Sequence, residues 1–397
     1  SRLRIQSLSM FENQSINLPL LRSHAFNLRW ATVPEGVIPL TAADPDFPVA
    51  PAIREAIAKF TADGYFAYND PKGFMPLKEA LANKYVSKYH TGYSPNCILP
   101  VDSAAAGIDL VCRTYLKPGD QAIIFDPVDF LFRYAIESSG GIAVPFPIPP
   151  ATGEVDFLAL QELITPKTKL ICLCNPLNPT GKVFTAKELK VLGEVATQNN
   201  IMLLSDEIWS DIVFDGRQFI PIASLDEAIF QQTITVTGFS KSFGLAGLRV
   251  GAVMAPNQNH FEKIYRHSEH NATIRGCNII GQVAAYAALT ACDDWFSLFL
   301  DHLDHVRSLL VNGLNQIPGV HCTAPEGSYL AFADIRGTGM TSLEMQQLLL
   351  EEAKVSVVPG LPQWFGNGAA GYIRMSFATS TTIIEHALNN ITKTLNP

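Results

Sequence analysis

Between residues 50 and 290, short runs of apolar and β-branched residues alternate with stretches in which apolar positions recur every three to four residues. Residues 121–125, 168–174, 201–205, 233–237 and 250–254 each have the length and make-up of a buried strand. Thr185-Ala-Lys-Glu188 has the form of a capping box, and Leu189, Leu192, Val195 and Ala196 behind it predict a crossover helix. Strands alternating with such helices predict an α/β domain with a mainly parallel sheet. The proline-rich stretch 145–150 reads as a surface loop. After about residue 290 the pattern changes to a long helix over 295–314, strand-like 327–333, 355–358 and 372–378, and a closing helix to Leu395. That predicts a second, smaller α+β domain. The first forty or so residues show no clear period and are expected to form an arm on the rest of the molecule or on a partner subunit. The expected division is therefore 1–47 (arm and part of the small domain), 48–290 (large domain) and 291–397 (small domain).

Composition narrows the class. The chain has 397 residues, natural for two domains, with 47% apolar and 17% charged residues, as in an ordinary globular protein. A net charge of −8 without a dense Lys/Arg cluster argues against a nucleic-acid partner. Residues 1–10 lack an apolar signal core, and the longest apolar stretch, Ile279–Ala291, contains Gln282 and is too short to span a bilayer. No membrane association and a cytoplasmic location are expected. Seven scattered cysteines with no CxxC pair read as reduced, mostly buried thiols. His267/His270 and His302/His305 stand three apart on predicted helices, but no further ligand completes a set; they read as solvated helix faces, and no metal is expected.

In open parallel sheets ligands bind beyond the carboxyl ends of the strands, so the residues just past each run are informative. Three runs end in polar sets: Asn175-Pro-Leu-Asn178-Pro-Thr-Gly181, Asp206-Glu207-Ile-Trp209 and Gly238-Phe-Ser240-Lys241. These should converge on one pocket. A lysine desolvated at a strand end loses its proton more readily and can form an imine. A carboxylate on the neighbouring strand suits the protonated ring nitrogen of a pyridine cofactor, which makes that ring an electron sink. Lys241 and Asp206 fit these two roles. Asp102-Ser103-Ala104-Ala105-Ala106-Gly107, ahead of an apolar helix, offers N–H groups and small side chains to a phosphate, and Arg249 can add a charge-assisted bond.

The run Gly238-Phe-Ser-Lys241-Ser-Phe-Gly-Leu-Ala-Gly-Leu-Arg249-Val-Gly251 resembles the lysine signature of the class I/II aminotransferases, fold-type I enzymes that use pyridoxal 5′-phosphate (PLP). Asn178-Pro-Thr-Gly, Asp206-Glu207 and Gly371-Tyr-Ile-Arg374-Met-Ser-Phe match the family's other hallmarks in order, from about Asp44 to the C-terminus. The resemblance implies that Lys241 holds PLP as a Schiff base and shuttles the α-proton. It implies that Asp206 pairs with the ring nitrogen, that Asn178 bonds the 3′ oxygen, and that Ser103, Ala104, Ser240 and Arg249 lie at the cofactor. Arg374 would grip the substrate α-carboxylate. Ala43 would lie beside the substrate, and Tyr68 would reach the phosphate of the partner subunit, which implies a homodimer with shared active sites. The segment Thr41-Ala-Ala-Asp44-Pro-Asp46 is similar to the C–S lyases of this fold, as is Ser205-Asp-Glu-Ile-Trp209.

Two positions depart from the family pattern. Asp129 stands where an aromatic ring usually stacks on the cofactor, with Phe130 and Phe132 adjacent, and Trp209 stands where a tyrosine is frequent. Either Asp129 faces the site, to hold a cationic group or act as acid or base, or one of the two phenylalanines supplies the ring and Asp129 is solvated. Arg275 either selects an acidic substrate or is an ordinary surface arginine. Glu12, His24 and Arg29 on the arm are candidates to close over the substrate. The expected function is an aminotransferase. The alternative is a β/γ-eliminating lyase or a cyclodehydratase acting on a hydroxylated arginine, and a non-catalytic relative is disfavoured by the full set of cofactor residues. A nucleotide-dependent dehydrogenase lacks its glycine-rich turn.

Overall fold

The computed structural model describes residues 10–23 and 27–396. Its centre is a seven-stranded sheet of β1 (Ile98–Val101), β2 (Gln121–Asp126), β3 (Ile142–Pro147), β4 (Thr168–Cys174), β5 (Met202–Asp206), β6 (Thr233–Gly238) and β7 (Gly251–Met254). The spatial order is β1-β7-β6-β5-β4-β2-β3, and β7 alone runs against its neighbours. The fold is α/β with a mainly parallel sheet, as the alternating pattern predicts. β4, β5 and β6 are buried almost throughout because helices cover both faces, which is why they read as continuous apolar runs.

The prolines of 145–150 do not mark a loop at their start. Pro145 and Pro147 pair within β3, which is the sheet's edge, and an edge strand tolerates residues without an N–H donor. The crossover helix forms over Ala186–Gln198, with the Thr185 side chain accepting from the Glu188 N–H at 3.1 Å. Only half of the predicted box is made, because the Glu188 carboxylate turns to Lys182 at 2.9 Å. Thr185→Ala should therefore cost about 1 kcal/mol in equilibrium unfolding. A loss below roughly 0.3 kcal/mol would mean that the Lys182–Glu188 pair holds this turn alone.

A second, antiparallel sheet is built from β8 (His321–Cys322), β9 (Leu330–Asp334), β10 (Val358–Pro359) and β11 (Tyr372–Ser376), in the order β10-β11-β9-β8. The single strand expected over 355–358 is two: Val355–Ser356 pairs in parallel with Ile38–Pro39, and Val358–Pro359 pairs with β11, with Val357 buried between them. The N-terminal segment is thus stitched to the C-terminal part of the chain.

The long helix Asp293–Asn315 packs against the helix Thr381–Leu395 and buries Trp295, Phe299, Leu303, Val306 and Leu310. His302 lies on that apolar stripe, not on a solvated face. It is buried, its Nε2 is 2.8 Å from the Thr379 carbonyl, and its ring stacks on Phe11. His270 is buried as well, whereas His267 and His305 are exposed. All seven cysteines are free and buried. On the arm, Arg29 and Trp30 are buried against Asp46: the guanidinium forms an ion pair with it, and the indole N–H donates to it at 2.8 Å. Arg29 is therefore committed to the body of the molecule rather than free to close over a substrate, and His24 lies outside the described residues. No single helix among the described residues is long and apolar enough to cross a membrane.

Candidate active site

The register of the sheet sets Cys174 of β4 beside Asp206 of β5, and Asp206 beside Val236 of β6. The segments that leave these three strand ends carry Asn178, Trp209, Ser240 and Lys241 to the rim of one cavity of about 200 Å³. Opposite them lie Ser103 and Ala104, at the start of the helix Ala104–Tyr115, whose first turn is capped by the Ser103 hydroxyl accepting from the Ala106 N–H at 2.9 Å. Arg249 lines the same cavity from a left-handed backbone position, φ 51°, and donates to the Ala246 carbonyl. At Gly251 an added Cβ would sit 2.7 Å from the Ala104 nitrogen, so only glycine lets this strand approach the helix start so closely.

The Lys241 ammonium donates to the Ala43 carbonyl at 2.8 Å and lies 5.6 Å from the centre of the Trp209 ring. Burial lowers its pKa, opposed by the nearby Asp44, Asp129 and Asp206 carboxylates. Asp206 accepts from the Ile208 N–H at 3.2 Å, and burial pushes it up to about 7. Trp209 is itself buried and meets Tyr329 edge-on.

Asp129 lines the cavity rather than the solvent. One carboxylate oxygen accepts from the Leu131 N–H at 3.2 Å, the other from the Asn178 amide at 3.4 Å, and burial raises its pKa. Phe132 lines the same cavity, whereas Phe130 faces the neighbouring one and packs edge-on against Trp364. Arg374, in the middle of β11, donates to the Asn178 side-chain carbonyl at 3.1 Å and to the Thr41 carbonyl at 3.0 Å, and its buried Nε has no partner. It lines the adjoining cavity, of about 570 Å³, together with Thr41, Ala42, Asp129 and Trp364.

Tyr68 and Arg275 do not reach this cavity in their own chain. Tyr68 is 85% exposed, and the Arg275 guanidinium sits over its ring at 5.3 Å. Asp44, which the sequence offers either as a residue of the pocket mouth or as part of a turn, lies in the charge field of Lys241 and Arg29, and the Tyr329 hydroxyl, to which no sequence motif points, donates to the same Ala43 carbonyl as Lys241 at 3.3 Å. Asp44 comes from a segment without helical or strand pattern, whereas Tyr329 stands in the strand-like run 327–333, whose pattern does not show that its hydroxyl reaches the site.

Residues 35–391 match the model of the family "Aminotransferase class I and II". The chain belongs to that family. It is similar to aromatic-amino-acid aminotransferase 2 of Thermococcus litoralis, 34% identical over 91% of this chain and 92% of that one. The crystal structure of an aromatic aminotransferase from Pyrococcus horikoshii superposes with a TM-score of 0.85 at 30% identity, covering 92% of this chain and 97% of the other. Cystalysin from Treponema denticola, whose structure contains pyridoxal 5′-phosphate, superposes at 0.88 over 94% of this chain and 96% of its own, and at 23% identity shows a shared fold alone.

The aminotransferase-family chain is a PLP-dependent enzyme acting at the α-carbon of an amino acid, and its residues fit that cofactor. An amine and a carboxylate occupy neighbouring strand ends of a cavity closed on the far side by a helix start and an arginine. The buried Asp206, with no cation within 4 Å among the described residues, is a carboxylate in want of one.

Proposed function

We propose that this enzyme is an aminotransferase in which Lys241 is both the cofactor's anchor and the base. When bound, PLP supplies the electron sink for the charge left on Cα. Once the substrate's amine has displaced it from the cofactor, the freed Lys241 Nζ would carry the proton from Cα to the cofactor's C4′. Asp206 holds the ring nitrogen charged. Asn178 bonds the 3′ oxygen, while Ser103, Ala104, Ser240 and Arg249 bind the phosphate. Arg374 takes the α-carboxylate, with its unpartnered Nε as one donor and the groups now on Asn178 and Thr41 as the others. The observation that carries this reading is the placement of Lys241 and Asp206 at adjacent strand ends of one cavity, with Arg374 beside it.

The exposed ring of Tyr68, stacked by Arg275 next to exposed Tyr65 and Phe66, supports a homodimer in which each Tyr68 serves the other subunit's phosphate site. The seven free thiols support a cytoplasmic setting. The test is a spectral titration of the PLP-loaded protein with amino acids, with products identified by mass spectrometry. Transamination requires conversion of the cofactor to its amine form with a keto acid released in equal amount. Release of a thiol, ammonia or water with the cofactor unchanged would assign the enzyme to elimination or cyclisation.

A further inference from the structure

We propose that Asp129 sets the substrate class, and that the enzyme's preferred substrate is an α-amino acid whose side chain ends in a cation, a guanidinium or an ammonium. The inference rests on the aminotransferase roles of Lys241 and Arg374. Its first support is position. Among the described residues, Asp129 alone lines both the cavity of about 200 Å³ that holds Lys241 and Asp206 and the adjoining one of about 570 Å³ that holds Arg374. A substrate whose carboxylate is on Arg374 and whose α-carbon is near Lys241 must place its side chain within these two spaces.

Charge supplies the second support. Of the charged groups in the larger cavity, Arg29 is committed to Asp46 and almost fully buried, and Arg374 is reserved for the α-carboxylate. Of the acidic groups around Lys241, Asp206 is reserved for the cofactor ring, and Asp44 lines neither cavity, its carboxylate lying in the charge field of Arg29 and Lys241. Asp129 has no cation within 4 Å among the described residues; its partners are the neutral N–H of Leu131 and the amide of Asn178. Once a substrate carboxylate neutralises Arg374, Asp129 loses the larger of the two positive fields acting on it, the other being that of Lys241. A poorly hydrated carboxylate in that state either takes up a proton or pairs with a cation, and a cationic substrate side chain would supply the pair.

The walls fit the rest of such a side chain. Trp364, Phe130, Phe365, Val357 and Val358 offer aromatic and aliphatic surface to a run of methylenes, and the aromatic faces attract a cation. Asn178 ties the two ends together, accepting from Arg374 at 3.1 Å and donating to Asp129 at 3.4 Å. The carboxylate grip and the proposed cation grip are thus two hydrogen bonds apart.

The experiment uses the PLP-loaded enzyme and Asp129→Asn, which keeps the side chain's shape and removes its charge. Calorimetry with 5-guanidinopentanoate, which has carboxylate and guanidinium but no α-amine to react, and with hexanoate as its neutral counterpart gives a readout apart from turnover. Wild type should bind the guanidino acid at least about 10-fold tighter, and the variant should lose that preference. The ratio of kcat/KM for arginine or lysine over norleucine should fall by about 100-fold in the variant. Arginine against lysine then tells guanidinium from ammonium. Equal binding of the two acids by wild type overturns the proposal even if the variant does not fold. So does a variant in which all substrates fall alike, which would make Asp129 a positioning residue for Asn178 or the cofactor. If norleucine or aspartate is transaminated and arginine and lysine are not, this inference fails while the aminotransferase reading stands. If no amino acid alters the cofactor's absorbance, the aminotransferase reading fails and takes this inference with it.

Discussion

Lys241→Ala should lower kcat by at least about four orders of magnitude while leaving a folded protein that still takes up PLP. The size follows from losing two functions at once. The alanine variant has no amine to hold the cofactor's aldehyde, and no base placed to move the proton between Cα and C4′. The lysine is poised for both because burial lowers its pKa, while the Ala43 carbonyl, 2.8 Å away, fixes its direction. Folding should survive because Ser242 and Phe243 do the packing of the short helix Ser240–Phe243, and because the Ala43 carbonyl keeps the Tyr329 hydroxyl as a donor. Borohydride reduction followed by peptide mass spectrometry should find the cofactor on Lys241 in the wild type and on no lysine in the variant. A small primary amine added to the variant should restore part of the rate. A loss under about tenfold, or a reduced adduct on another lysine, would place the reacting amine elsewhere.

The parts of this fold legible in the sequence are those where one local pattern meets one environment. The run 168–174 reads as a buried strand because helices cover both its faces, and β4 spans Thr168–Cys174. The polar residues just past β4, β5 and β6 were legible as a site because a parallel sheet brings successive carboxyl ends to one edge. Where the environment comes from elsewhere in the chain, the pattern misleads. Pro145 and Pro147 suit a loop and an edge strand equally, and only the position of β3 in the sheet decides. His302 is polar by type, but at three residues after Phe299 and four before Val306 it shares their buried face, a spacing the sequence did contain. The break at Val357 could not be read at all, because its two flanking dipeptides pair with different strands. The larger cavity was equally invisible. Its walls come from residues within 28–32, 41–42, 129–130, 346, 356–359, 364–365 and 374, and no motif spans segments so far apart.

Asp206→Asn should separate the role of its charge from that of its shape. Without cofactor, burial holds the Asp206 carboxyl at about 7 against an ordinary 3.8. Between roughly pH 4 and 7 the folded protein therefore keeps a proton that the unfolded chain has released. Stability from this group is full below that window and falls as pH rises through it. The linkage cost above pH 7 is at most about 4 kcal/mol, the equivalent of moving one carboxyl from 3.8 to about 7. The asparagine variant should escape that cost, so without PLP it should gain stability over wild type at pH 8 and much less at pH 4. Glu207, raised to about 7 chiefly by burial, also feels the Asp206 charge, so the variant should relieve part of its shift as well, in the same direction. PLP reverses the sign for wild type. A protonated ring nitrogen placed beside Asp206 favours the carboxylate, so the cofactor should stabilise wild type more than the variant at pH 8. Turnover of the variant should fall by about 10²–10³-fold, because a neutral amide cannot keep the ring charged as electrons flow into it. Thermal unfolding at the two pH values, with and without PLP, reads every one of these stability differences. A variant as active as wild type, or one with the same pH dependence, would mean that the buried carboxylate faces something other than the cofactor's ring.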